Sequence, residues 1–441
     1  MGSLPTLPPI TLGTLETAVF ERLGGGVYWI SDEIDSNIRE AIRFWNAATR
    51  FWRRRVQFQT VASQPFYDLS TTTGTSAYLG YSILDQTLVK SMEHHLLEPP
   101  TPTVWTGTVM FSLDEFTQAL ERRRNQFLIE TGAVLTRYTP ALTPTGDGRI
   151  QLQDSILDFR RAAFNDGTTN YTLFRDDEWR INAMNAAWIQ TPGIPGVYSV
   201  SVTPPFAMQL SPPAANFGTL DLIVVNSGAT LNPATGVAMG VPDDFAWVVM
   251  WGALADLVGE NGPAADPMRA QYAEQRWRDG ISMAKGATTV IQAQVNNVPL
   301  QVVSVYEADT FNPSWQNQTG PPAVAMMAGL NLIALSPVPD GVYSITADIV
   351  QNAPAPTLST DQVLVSRDVA DVLVDYAQHV SAFKEGGAEF ADVMQVYERI
   401  MRLADVYRKR MGAQTRDHKA MMDRPRVEFY QRPMEVEATT R

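Results

Sequence analysis

The sequence predicts an α+β protein: a bundle of long helices on a β-rich platform, with a duplicated strand–loop–helix–helix unit and extended terminal arms. Three observations carry that prediction. Ser211-Pro212-Pro213, Gly218 and the strand-like run Thr219 to Val225 recur roughly 125 positions later as Ser336-Pro337-Val338, Gly341 and the run Val342 to Val350. Each copy continues through a loop into two helical stretches, opened by Val241-Pro242-Asp243-Asp244 in one and by Val365-Ser366-Arg367-Asp368 in the other. The second helices, Met268 to Met283 and Phe390 to Met411, both carry Tyr and Arg. Neither copy carries an obvious reactive group, which favours assembly over catalysis.

Taken in order, residues 1–27 are rich in Pro and Gly and read as an extended arm. Ser31 can cap the first helix, with Asp32 and Glu33 in the turn where the helix dipole favours acids. Ile34, Ile38, Ile42, Trp45, Ala48 and Trp52 recur at helical spacing, and the helix is expected to break near Arg55. The run Val56 to Val61 then alternates as a strand and ends in a strand pair at Pro65-Phe66-Tyr67-Asp68-Leu69. Ser112 and Glu115 form a capping box, with Phe111 and Phe116 placed as a hydrophobic staple. That helix turns Phe116, Leu120 and Phe127 inward and stops near Gly132.

From about 134 to 240 the chain reads mainly as strands, including Ile150-Gln151-Leu152-Gln153 and Ile156 to Phe159, with a helical turn around Asp176 to Met184. Asp243 to Val258 is apolar nearly all round, so burial on most sides is expected, with neighbouring subunits as one way to achieve it. Asp266-Pro267 pairs an N-cap with a first-turn proline. The second copy uses Ser366 as cap, an apolar face of Val369, Leu373, Tyr376 and Val380, a Gly386-Gly387 break and a long helix to Gly412. The divisions expected are an arm (1–27), a helix/strand unit (28–135), a β-rich platform with the first helical hairpin (136–288), the second repeat unit (289–412) and a C-terminal arm (413–441). The last segment is polar, without periodicity, and is expected to order only against a neighbouring chain.

At 441 residues the chain exceeds what one growing core sustains, so two or three packed units are expected. There is no cysteine, which excludes disulfides, thiolate metal sites and Cys nucleophiles and fits a reducing interior. A net charge of −13 argues against a dedicated nucleic-acid-binding surface. No positive segment followed by an apolar stretch opens the sequence, so no signal peptide is expected, and the run Phe245 to Val258 is too short to span a bilayer. Met1-Gly2-Ser3-Leu4-Pro5-Thr6 matches a myristoylation pattern, which has meaning only where the modifying enzyme exists.

Candidate chemistry is sparse. Glu93-His94-His95 lacks the i, i+4 spacing of helical metal ligands and reads as a loop or helix-end pair. His379 reads as a packed core or interface residue, and His418 lies in the tail. No phosphate-binding Gly-x-x-x-x-Gly-Lys loop and no nucleophile elbow occur. Asp176-Asp177-Glu178 is the best candidate for paired carboxylates, although adjacent acids on a helix face different ways and suit a helix start better. Arg122-Arg123-Arg124 reads as a solvated face or ion-pairing rim. Asn170-Tyr171-Thr172 and Asn317-Gln318-Thr319 are glycosylation triplets, relevant only in a secretory setting. Trp179, Trp188 and Trp315 are candidates for sugar stacking, with packing the more ordinary use. No catalytic, cofactor or metal residue is assigned.

The order of these motifs resembles the head-to-tail connector (adaptor) proteins of tailed bacteriophages. It is carried over roughly residues 30–285 by Ser31-Asp32-Glu33-Ile34 running to Trp45-Asn46, Pro65-Phe66-Tyr67-Asp68-Leu69, Pro195-Gly196-Val197-Tyr198 before a Ser-Pro-Pro strand pair, and Val241-Pro242-Asp243-Asp244 opening an Ala/Gly-rich helix. The second repeat looks like a further copy, and the chain is longer than a minimal connector. The resemblance implies a non-enzymatic virion protein in the particle neck, assembled in the bacterial cytoplasm as a ring, commonly twelve-fold, without cofactor or membrane. Its implied partners are further copies of itself, the portal protein above and a tail or nozzle protein below. DNA would pass through the lumen without specific binding, since an acidic wall repels phosphates. Two other readings stand beside it: another tail, nozzle or baseplate component, and a glycan-binding or glycan-cleaving protein built on the tryptophans and the acids at Asp176 to Glu178.

Overall fold

The computed structural model describes residues 9–25, 28–71, 80–97, 110–144, 148–201, 207–260, 265–386, 390 and 395–411. The fold is α+β, with a layer of helices against two curled sheets. Met1 to Pro8, His418 and the C-terminal segment from residue 412 onwards lie outside the described residues.

Helix α1 (Leu12–Arg22) replaces the extended arm expected from Pro and Gly content. A capping box between Thr11 and Thr14 starts it, and Leu12, Leu15 and Val19 are buried at helical spacing against α2 (Ser31–Thr49) and α9 (Arg367–Ser381). The apolar stripe of α2 is buried as its periodicity requires, but Ile30 is the N-cap and Ser31 the first helical residue. That helix ends before Arg55. Arg50 adopts φ 58° and returns its N–H to Asn46, whose side-chain oxygen accepts from the N–H of Trp52 at 3.0 Å. Helix α3 (Asp85–Leu96) and α4 (Leu113–Thr131) follow, the latter with the Ser112/Glu115 box and a left-handed Gly132 cap.

The first sheet has seven strands in the order β1-β15-β11-β12-β13-β14-β2. Its members are β1 (Arg53–Gln59), β2 (Phe66–Asp68), β11 (Val290–Val295), β12 (Val298–Ser304), β13 (Val324–Ala328), β14 (Leu332–Ser336) and β15 (Ser344–Val350). The sequence places β1 and β2 together as a strand pair. They sit instead at opposite edges, β1 antiparallel to β15 and β2 antiparallel to β14. The second sheet follows β3-β10-β6-β7-β8-β9-β5, with β4 also on β10. It is built from β3 (Thr136–Tyr138), β4 (Ala141–Leu142), β5 (Arg149–Gln151), β6 (Ile156–Asn165), β7 (Asn170–Arg175), β8 (Val197–Val200), β9 (Ala207–Ser211) and β10 (Gly218–Asn226). Each sheet curls around its own small core, with Val56, Phe58, Ile333 and Ile345 in one and Phe159, Met208, Leu210 and Leu222 in the other.

The two sheets share one pairing order. In each, an antiparallel hairpin (β6–β7, β11–β12) is followed by a short helix, α5 (Glu178–Met184) or α8 (Val305–Phe311), and a 3-10 turn. A strand parallel to the hairpin comes next (β8, β13), then an antiparallel neighbour (β9, β14), then a return to the hairpin's first strand (β10, β15). Both Ser-Pro motifs fall at the end of the penultimate strand, with cis bonds at Ser211-Pro212 and Ser336-Pro337.

After β10, a 3-10 turn (Asp243–Phe245) leads into α6 (Ala246–Gly259). Helix α6 is buried nearly all round by this chain's own α3, α4 and α7 (Pro267–Lys285), so no neighbouring subunit is needed to cover it. Asp266 caps α7 and Pro267 occupies its first turn. After β15, α9 packs on α2, and residues 395–411 are helical.

Candidate functional site

Between the two sheets lies an open cleft of about 930 Å³, with Arg160, Arg161, Tyr198, Lys285, Glu307 and Asp309 on its walls. Arg161 projects from β6 of the second sheet and donates through Nε and Nη2 to the two carboxylate oxygens of Asp309 on α8, at 2.6 and 3.1 Å. The same carboxylate accepts the indole N–H of Trp315 at 2.8 Å. Gln316 accepts from Arg161 at 3.1 Å and donates to Asp221 on β10 at 3.0 Å, and Arg137 on β3 closes the chain on Asp221 at 2.7 and 3.2 Å. Phe66 packs under this network, 5.9 Å from the Arg161 guanidinium and 5.8 Å from the Trp315 ring. Planar bidentate pairs shielded by aromatics hold geometry well. The start of β7 adds neutral bonds: the Asn170 N–H donates to the side-chain oxygen of Asn317 at 2.7 Å, Asn317 donates back at 2.9 Å, and Thr172 donates to the Pro313 carbonyl at 2.7 Å.

The other cations of the cleft are also engaged. Arg175 and Arg160 meet Asp158, and Lys285 meets Glu130. Burial pushes the Tyr198 phenol up to about 12, so it stays protonated. The arrangement suits holding two sheets in register.

A second buried network ties the helical layer. Arg276 on α7 is fully buried and donates to Glu40 on α2 at 3.0 Å and to the Tyr272 hydroxyl at 2.9 Å. Glu40 also accepts from Trp251 at 2.8 Å and from Tyr376 at 3.0 Å. The Arg276 guanidinium lies 4.8 Å from the rings of Trp251 and Tyr397. Burial raises the Glu40 carboxyl while Arg276 opposes it.

The candidates from the sequence scatter. His94 and His95 end α3 and are buried, and neither ring makes a hydrogen bond among the described residues. Burial lowers them to about 4 and about 3, so both are neutral. His379 is core, bonded to the Tyr272 hydroxyl at 2.5 Å. Asp177 caps α5 by accepting from the N–H of Trp179, and Asp176 lies 3.6 Å from Arg180, so the acidic triplet serves a helix start. Arg122 and Arg123 form the ion-pairing rim with Asp256, and Arg123 also meets Glu274. Arg124 turns inward onto the Ala229 carbonyl at 2.7 Å. Trp179 is exposed, whereas Trp188 and Trp315 are buried. No group of three or more His, Cys, Asp or Glu side chains is placed to hold a metal among the described residues, and none of their helices is long and apolar enough to cross a membrane.

Arg161, Asp309, Glu40 and Arg276 were not singled out by sequence. No local signal marks them, since Arg276 stands among Glu274, Arg278 and Asp279, Arg161 follows Arg160, and Glu40 follows Arg39. No protein-family model matches the chain, and no curated protein matches it.

Proposed function

We propose that the chain is a structural component of a tailed-phage particle, a head-to-tail connector (adaptor) that forms a ring beneath the portal and continues the DNA channel towards the tail. The observation that carries this reading is the repeated framework: two sheets of one pairing order, each followed by a pair of helical stretches, with the most elaborate polar networks joining one part of the framework to another. This supports the duplicated strand–loop–helix–helix unit as part of the proposal, and the helical layer would form the bundle. Shared pairing order and buried inter-unit ion pairs are features of a scaffold, and each adds weight to assembly as the role of the chain. The net charge of −13 fits a lumen that DNA traverses without sticking. Further copies, the portal and a tail or nozzle protein are the partners this role requires.

Native mass spectrometry of the purified chain, alone and with candidate portal protein, tests the reading. A discrete ring under either condition supports it; a monomer under both overturns it. The exposed Trp179 beside Asp177 is the one observation favouring a glycan-active protein. Glycan cleavage lost on Asp177→Asn, in a protein whose fold is unchanged, would establish that rival.

A further inference from the structure

The contact between the two sheets joins non-equivalent faces of one repeated framework. Corresponding positions follow from shared local bonds. Trp188 donates its indole N–H to Asn182 at 2.7 Å, as Trp315 does to Asp309 at 2.8 Å, and in both cases the acceptor lies six residues earlier. Asp177 and Ser304 cap the preceding short helices, each accepting from the N–H two residues on. In the hairpins, Ala162 faces Leu173 as Ala293 faces Leu300. By these alignments Asn182 corresponds to Asp309, Ile189 to Gln316, Ala186 to Pro313, Gln292 to Arg161, Pro299 to Thr172 and Thr346 to Asp221.

Within the chain, β6 and β7 dock on α8 and its 3-10 turn, leaving Asp309 8% and Gln316 7% exposed. The corresponding α5 segment is open. Asn182 is exposed, Ile189 is 41% exposed, and Trp179 and Met184 stand out at 83% and 76%. The hairpin corresponding to the docking one, β11–β12, is open as well, with Asn296 to Pro299 exposed. Each chain thus has one used and one unused copy of both halves of a contact.

We propose that a second copy of this chain docks its β11–β12 hairpin on the exposed α5 segment of the first, repeating between chains the contact that β6–β7 makes on α8 within one. The residue exchanges are coordinated across the contact. Where the internal pair is Arg161 with Asp309, the external pair is Gln292 with Asn182: the Gln292 amide donates to Asp348 in its own chain, which leaves its carboxamide oxygen to accept from the Asn182 amide of the other. Where it is Asp221 with Gln316, the external pair is Thr346 with Ile189. Neither exchange strands a buried charge, which the replacement of one partner alone would do. The turn of β11–β12 is shorter, Asn296-Asn297 against Asp166 to Thr169, so the contact centres on the strands. Such an interface is heterologous, and repetition closes a ring or extends a filament. The inference rests on the reading of the chain as a self-assembling component and specifies the surfaces that assemble.

The absence of cysteine makes a direct test available. Thr172 and Pro313 touch within the chain, so Ala186→Cys in one copy and Pro299→Cys in another are brought within reach of a short thiol cross-linker. An equimolar mixture of the two single variants should yield a cross-linked pair of chains, and the double variant a ladder. Wild-type rings in native mass spectrometry combined with no cross-linked pair would overturn this interface and leave the connector reading standing. A wild-type monomer with and without portal, together with no cross-link, would overturn both. A second pair of variants guards against misfolding of the first. Mixing Asn182→Asp with the double variant Gln292→Arg/Asp348→Asn, in which the neighbouring strand's carboxylate no longer competes for the new guanidinium, recreates the internal ion pair between chains and should tighten association roughly tenfold. Unchanged or weaker association, with circular dichroism unaltered, would overturn the proposal.

Discussion

Arg276 and Glu40 form an ion pair at 3.0 Å in which neither side chain is more than 8% exposed. Removing one partner strands the other charge away from water. Arg276→Met should therefore lower stability by about 3–5 kcal/mol, measured as a shift in the urea midpoint. Adding Glu40→Met to that variant should recover most of the loss. A double variant as unstable as the single one would show that packing, not the stranded carboxylate, dominates.

Helices α6 and α7 approach closely through glycine. A Cβ at Gly252 would sit 2.6 Å from the ring of Trp277, and one at Gly280 would press on Val248. Gly252→Ala is expected to cost about 1–3 kcal/mol through overpacking. Gly280→Ala should behave alike, and Val248→Ala should partly rescue it, because the two sites share one space. Thermal melts of the two single variants and the pair test this.

Asp244 sits in the middle of the turn before α6, and burial raises its carboxyl to about 7 even though the Ala353 N–H and the Asn46 amide both donate to it. A raised carboxyl favours the folded state while protonated. Its contribution is full below the ordinary value near 4 and is lost as pH rises through 7, a change on the order of 4 kcal/mol. Asp244→Asn cannot titrate. The difference in unfolding free energy, wild type minus variant, should fall between pH 4 and pH 7 and stay level above.

His95 has the opposite sign. Its ring lies 5.2 Å from Trp251 and 5.7 Å from Phe383, and burial lowers it to about 3. The contribution is full above the ordinary value near 6.5 and falls with acidification, by about 2 kcal/mol at pH 5. His95→Phe should remove that part of the acid sensitivity. His94, lowered to about 4 for the same reason, should leave a residual slope.

Local features of the fold were legible. The Ser112/Glu115 box, the Phe111–Phe116 contact at 5.9 Å, the Asp266-Pro267 start and the buried face of α9 all depend on residues within a few positions of each other. What was not legible is non-local. Nothing near Arg53–Gln59 states that its partner is Ser344–Val350 and not the next strand. The helix at Leu12–Arg22 was hidden by the Pro and Gly around it, although the Thr11/Thr14 box and its apolar spacing were present. Arg161 and Asp309 sit 148 positions apart, so their pairing could not be read from either segment.

The placement of β1 and β2 at the two edges of one sheet has a consequence for synthesis. The strands of the second sheet lie within residues 136–226, so all of them have left the ribosome while β11–β15 are still untranslated. The edge strands near residues 53–68 must wait until residue 350 has been made before their sheet can close. Folding of domains in order of emergence would then complete the inner segment first, and the outer one would clasp around it afterwards. A nascent chain stalled before β11 is therefore a finished insert carrying two unmated edges.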